Sequence, residues 1–163
     1  MFRALPDTHL SLGFANHLFD IAKLTQRIDD IEDKYRILYD QYSTSDEALV
    51  VVSAVMKALV LRAKLTHLRQ RLDEHNKHAI EYIRKERSVV YNIRRRIVAM
   101  KGNVEDLVAM NMLSPGHEHH IKMMTDIKLA TDVYKVRKSH MDTQIKAYAK
   151  LGGHRASWII TDM

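Results

Sequence analysis

The chain has 163 residues, of which 46% are hydrophobic and 28% are charged, so it can bury one core and does not have a disordered composition. Its 5 Gly and 2 Pro are too few for the turns of a β-sandwich or barrel, and the lack of Cys excludes disulfides and thiol catalysis. The formal net charge of +6 indicates a modest preference for acidic partners.

The sequence shows no targeting or membrane-spanning segment. Its first twelve residues lack the basic region and continuous apolar stretch of a secretory signal. The most apolar window, residues 48–61, is shorter than the roughly twenty residues that cross a bilayer, and it predicts a helix that protein covers on most sides. We expect no membrane insertion and a cytoplasmic location, or a location in the virion if the chain is viral.

Turn and capping residues divide the chain into predicted helices. Thr44 and Glu47 have the spacing of a capping box, Gly102 is typical of a helix end, and Ser114 followed by Pro115 is typical of a helix start. We expect a single helical domain over the whole chain. The predicted helices lie near residues 8–42, 46–101, 104–113 and 116–151, with a flexible tail at 152–163.

Apolar residues recur at alternating spacings of three and four, which predicts two seams of the coiled-coil type. One seam follows the first helix and the other follows the long second helix, where the pattern slips by one residue after Ile93. His75 occupies a seam position, where a polar side chain sets the register. The seam residues predicted to make oligomer contacts are Ile21, Leu24, Ile28, Ile31, Leu65, Leu68, Leu72, Val89 and Ile93.

Helix lengths predict an architecture. An unbroken helix over residues 46–101 would be about 84 Å long and its two long neighbours about 50 Å each. We expect an all-α, elongated antiparallel bundle in which coiled-coil hairpins share one long central helix. The alternative is a compact four-helix bundle with the long helix broken near Asn76. Two helices in cross-section leave apolar surface open, so a homo-oligomer is predicted.

Positive charge is concentrated in residues 84–101 of the long helix, which contain seven basic residues and one acidic residue, Glu86. Such a stripe can neutralise phosphates, and an aromatic side chain within it can stack on a base. The alternatives are an acidic face of a neighbouring subunit, such as the Asp29–Asp33 region, or a solvated surface. The residues predicted to bind nucleic acid or an acidic partner are Arg84, Lys85, Arg87, Tyr91, Arg94, Arg95, Arg96 and Lys101.

No catalytic or metal-binding motif is present. His117, His119 and His120 are crowded together, but the spacings of zincins and of di-metal bundles are missing, so no metal or cofactor is predicted. Glu86 is expected to be neutralised by a basic neighbour across the seam rather than to act as a general acid.

We therefore expect a protein that is not an enzyme. The sequence favours an oligomeric assembly or scaffold component that contacts itself and another protein through coiled-coil surfaces. The alternative is a nucleic-acid-binding protein without base preference, of the viral packaging or coat type, that uses residues 84–101.

Overall fold

The computed structural model describes residues 8–152, with side-chain exposure given for residues 13–151. Three helices account for most of this range: α1 (Thr8–Thr44), α2 (Ala48–Ala109) and α3 (Glu118–Gly152). Residues 8–152 contain no β-strand, so the predicted all-α class is confirmed. From residue 153 onward, the predicted tail lies outside the described residues.

The chain divides into two compact units whose boundary lies within α2, between Ile80 and Glu81. In the first unit α1 packs antiparallel to the front part of α2, and in the second unit α3 packs antiparallel to the rear part. Each unit is thus a helical hairpin. The helix continues through Asn76, where the alternative architecture required a break.

The core of the first unit is built from the predicted seams. Leu24 and Ile28 of α1 form one cluster with Leu65 and Leu68 of α2. Ile31 and Leu72 pack against this cluster, and Ile21 is 1% exposed. These side chains are buried within one chain, so an oligomer needs a different surface for its contacts.

The second unit corrects the register predicted for the long helix. Val89 is 41% exposed, whereas its neighbour Val90 is 6% exposed and belongs to the core. The buried stripe continues from Ile83 through Val90 to Ile97, and Ile93 is half-buried beside it. The pattern therefore slips between Ala79 and Ile83, two heptads before the predicted place and at the boundary between the units.

Three predicted helix ends are wrong. The Thr44 hydroxyl donates to the carbonyl of Asp40 at 2.8 Å, so it closes α1 instead of capping α2, which begins at Ala48. α2 passes through Gly102 and ends at Ala109, so the separate helix predicted at 104–113 does not exist. α3 begins at Glu118, because Gly116 adopts a positive φ of 85° that ends any helix started at Pro115.

No helix in the described part of the chain combines the length and the apolar character that crossing a membrane requires.

Candidate functional site

The front of α2 carries a second apolar stripe that faces solvent. Leu49 is 86% exposed, and Val52, Met56 and Leu59 are 55–61% exposed. With the exposed Ala63 they follow the three–four spacing of a heptad repeat. We call Leu49, Val52, Met56, Leu59 and Ala63 the apolar face. It corrects the prediction that protein covers residues 48–61 on most sides.

Helical geometry explains why this face remains uncovered. At 100° per residue, the apolar face points away from the side of α2 that carries Ala54, Leu61 and Leu65. That opposite side packs against α1, and Ala54 and Leu65 are buried there. The front of α2 is therefore apolar on two opposite sides, of which the first unit covers one.

A groove borders the apolar face. It has a volume of about 600 Å³ and runs between the end of α1 and the start of α2. Met56 and Val60 line it from α2, while Ile37 and Leu38 line it from α1. Ile37 is 55% exposed, so the apolar surface extends from α2 onto α1.

Sequence reasoning missed the apolar face as a site. A signal for it exists, because the window 48–61 contains two interleaved three–four patterns, one of which is already used by the core. Neither pattern is distinguishable in a continuous apolar run, because nearly every position is apolar and any choice of helix face fits.

The rear of α2 carries the predicted basic residues, all eight of which are exposed. Arg84, Arg87, Tyr91, Arg94 and Arg95 fall within about 100° of the helix circumference. We call these five the arginine face. In the part of the chain that the structure describes, none of its four guanidinium groups forms an ion pair. This cluster therefore presents its positive charge to solvent.

The other predicted basic residues lie elsewhere. Lys85 pairs with Glu81 at 2.9 Å on the same helix, and Arg96 shares that side of α2. Lys101 lines a second groove of about 550 Å³ together with Val104 and Ile127. The structure thus separates the eight predicted residues into the arginine face and three residues outside it.

Three histidines meet where α1 contacts α2 in the first unit. The Nδ1 atoms of His17 and His75 are 3.1 Å apart, so one must donate the proton that the other accepts. His78 stacks on His17 with ring centroids 5.2 Å apart, and the Asp20 carboxylate lies 3.9 Å from His75. Burial, followed by the charges of His75 and His78, lowers the pKa of His17, while Asp20 acts to raise it.

This cluster explains the polar residue at the predicted seam position. His75 finds a partner across the helix pair in His17, and both are half-buried. Sliding the helices by one turn would leave these imidazoles without each other, so the pair fixes their register.

Glu86 is neutralised across the second hairpin, as predicted. Its side chain is 8% exposed, and an oxygen of its carboxylate accepts from Arg137 of α3 at 3.4 Å. Nearby, the Gln144 amide nitrogen lies 3.5 Å from the Tyr82 hydroxyl. The side-chain carbonyl oxygen of Gln144 is buried, with no hydrogen-bond partner among the described residues.

The histidines at the start of α3 act as caps. The backbone N–H of His119 donates to Nδ1 of His117 at 3.3 Å, and that of Gly116 donates to Nδ1 of His120 at 3.4 Å. Both imidazoles must therefore carry their proton on Nε2, while each Nδ1 accepts a hydrogen bond from a backbone N–H. Within the described residues, no group of three metal-ligating side chains is arranged to hold an ion.

Comparisons with protein-family models, with curated proteins and with solved structures give no match for this chain.

Proposed function

We propose that this protein is a non-enzymatic assembly component that binds other chains through coiled-coil contacts. The observation that carries the proposal is the apolar face, a heptad stripe on the uncovered side of α2. Large exposed apolar patches on a folded domain are typical of protein interaction sites. An elongated arrangement and a cytoplasmic location belong to this proposal.

A charge placed in the apolar face tests the proposal. Val52→Glu puts a carboxylate into the stripe, and Val136→Glu is its control, because Val136 is also an exposed valine, at 70% against 61% for Val52, and lies on α3 outside both faces. Burying an unpaired carboxylate in a helix interface is strongly unfavourable, so Val52→Glu should dissociate the oligomer while Val136→Glu leaves it intact.

The measurement is the molar mass by sedimentation equilibrium over a range of concentrations. We expect wild type and Val136→Glu at a multiple of 19.0 kDa and Val52→Glu at the monomer mass. A wild-type monomer at every concentration, or an oligomer that Val52→Glu does not affect, would contradict the proposal.

Nucleic acid is the second candidate partner, and the arginine face supports it. Four guanidinium groups that form no ion pair with the described residues can follow a phosphate backbone, and Tyr91 between them is 58% exposed and can stack on a base. The competing explanation is that this face binds carboxylates of a neighbouring chain, such as those of the exposed Asp29 and Asp30.

A salt-titrated mobility shift separates the two partners. If nucleic acid binds, replacing Arg87, Arg94 and Arg95 by Gln should weaken binding and reduce the log–log salt slope by about 0.9 per lost phosphate contact. Replacing three exposed lysines of α3 by Gln removes the same charge elsewhere and is the control: Lys122, Lys128 and Lys135. Loss of oligomer mass in the arginine variant, without any mobility shift of wild type at low salt, would reject the nucleic-acid candidate.

A further inference from the structure

We infer that the apolar face is covered by the same face of a second copy of this chain, running antiparallel, with the two-fold axis between Val52 and Met56. The inference rests on the proposed function, since it names the partner and the orientation of the contact proposed there. In this pairing Leu49 of one copy lies opposite Leu59 of the other, and Val52 lies opposite Met56.

The chemistry of the face suits a second copy. The flanking positions Ser53, Val55 and Val60 are uncharged, and Arg62 is the one charged residue beside the stripe. Two identical faces therefore meet without opposing like charges at their centre, as a two-fold contact requires.

The exposed area is also sufficient. Leu49, Val52, Met56 and Leu59 with their neighbours Val55 and Val60 expose on the order of 700 Å², close to the roughly 800 Å² that each partner buries in a standard interface.

The order of side chains favours the antiparallel orientation. The spacing assigns Leu49 to an a position and Val52 to a d position. Parallel two-stranded coiled coils prefer a β-branched residue at a and Leu at d, which is the reverse of this first heptad. Antiparallel pairing places a opposite d, so the four large side chains of the face, Leu49, Val52, Met56 and Leu59, cover those of the other copy.

The charged residues at the two ends of the face also favour the antiparallel orientation. Asp46 and Glu47 precede α2, whereas Arg62 and Lys64 lie at the other end of the stripe, and all four are exposed. Asp46 and Lys64 lie on the same flank of the face, so antiparallel pairing brings Asp46 within one turn of the partner's Lys64. Parallel pairing would instead set the acidic ends of the two copies level with each other, and likewise the basic ends.

Cysteine crosslinking tests the orientation without background, because the chain contains no Cys. Leu49→Cys and Leu59→Cys are prepared separately, then oxidised alone and as an equal mixture. A disulfide needs Cα atoms within about 7 Å. In the antiparallel dimer, equivalent positions are about 15 Å apart along the axis, ten residues at 1.5 Å each.

We expect a crosslinked dimer in the mixture and little in either variant alone. Crosslinking of each variant alone, without excess in the mixture, would overturn the antiparallel orientation. Val98→Cys mixed with Leu59→Cys measures random collision and should give no dimer band.

Molar mass under reducing conditions distinguishes failure of the proposed assembly from failure of the inferred antiparallel pairing. If both variants are monomers there, and wild type is a monomer too, the proposed assembly itself fails. If they are oligomers and Leu49→Cys does not crosslink to Leu59→Cys, the assembly stands and the inferred pairing is wrong.

Discussion

Replacing Arg137 should lower the free energy of unfolding, because Arg137 is the ion-pair partner of Glu86, which is buried in the second hairpin. The perturbation is Arg137→Met, which deletes the guanidinium and retains most of the apolar stem. The Glu86 carboxylate, at 8% exposure, then loses its charged partner on α3. A buried carboxylate without a counter-charge destabilises the folded state.

The structure sets the magnitude. Breaking a fully buried ion pair costs about 3–5 kcal/mol. Here the contact is 3.4 Å long and the Arg137 side chain is 30% exposed, so water already shares in solvating the pair. We therefore expect a loss of about 2–3 kcal/mol in the free energy of unfolding, in the upper part of the range for an unsatisfied buried polar group.

Urea denaturation followed by circular dichroism measures this loss. With a slope of about 2 kcal/mol/M, the midpoint should fall by about 1–1.5 M urea. Arg84→Met is the control, because Arg84 belongs to the same unit, is exposed and forms no ion pair with the described residues, so its replacement should change stability by less than about 0.5 kcal/mol.

The double variant Glu86→Leu/Arg137→Met separates the carboxylate from other contacts of Arg137. Replacing both members of a buried pair by apolar groups is often neutral, so the double variant should recover most of the lost stability. If Arg137→Met behaves like Arg84→Met, or if the double variant is less stable than the single one, the account of Glu86 as a buried charge is refuted.

Other predictions concern acidity, backbone and one unpaired amide. Because the pKa of His17 is lowered below 6.5 in the folded protein, the unfolded chain binds this proton more tightly. The free energy of unfolding should therefore fall as pH drops through about 6.5 and level off below the lowered pKa. Thermal melts of His17→Asn should show a smaller fall than those of wild type. Gly102→Ala should raise the free energy of unfolding by about 0.5–1 kcal/mol, because the added methyl group has open space in a helix interior. Gly116→Ala should lower it by about 1–2 kcal/mol, because Gly116 has a positive φ that alanine adopts only with strain. A gain in stability at Gly116 would contradict the assigned backbone. Gln144→Met should raise stability by about 1 kcal/mol in urea melts, since it removes a buried oxygen that has no partner among the described residues, and a loss above about 1 kcal/mol would show that the amide is satisfied.

Heptad spacing predicted the first hairpin well, because each seam position there has polar neighbours on the helix. Ile21, Leu24 and Ile28 stand out from a charged background, and all three are buried. The same rule failed at Val89 and Val90, where two adjacent β-branched residues satisfy either register. The packing of α3 against α2 decides between them, and a single-helix pattern does not contain that information.

Helix ends were less predictable, since the signals used there are weak. A glycine inside a helix costs only about 1 kcal/mol, and burial of Val104 at 5% exposure offsets this cost by continuing the core beyond Gly102. The left-handed backbone at Gly116 outweighs the usual preference for proline in a first turn. Of the candidate sites, the arginine face followed from spacing, whereas the apolar face required knowing which side of α2 the hairpin covers.

Each hairpin is closed by a short connection, residues 45–47 in the first unit and 110–117 in the second, and this has a consequence for how the chain folds. Contacts next to a turn join residues that are close in sequence, whereas His17 and His75 are 58 residues apart. Loop-closure entropy grows with separation, so we expect each hairpin to close from its turn toward its open end. The apolar face lies beside the first turn. We therefore expect this face to form before the histidine cluster, so that in the proposed assembly two partly folded chains begin to associate while their far ends are still open.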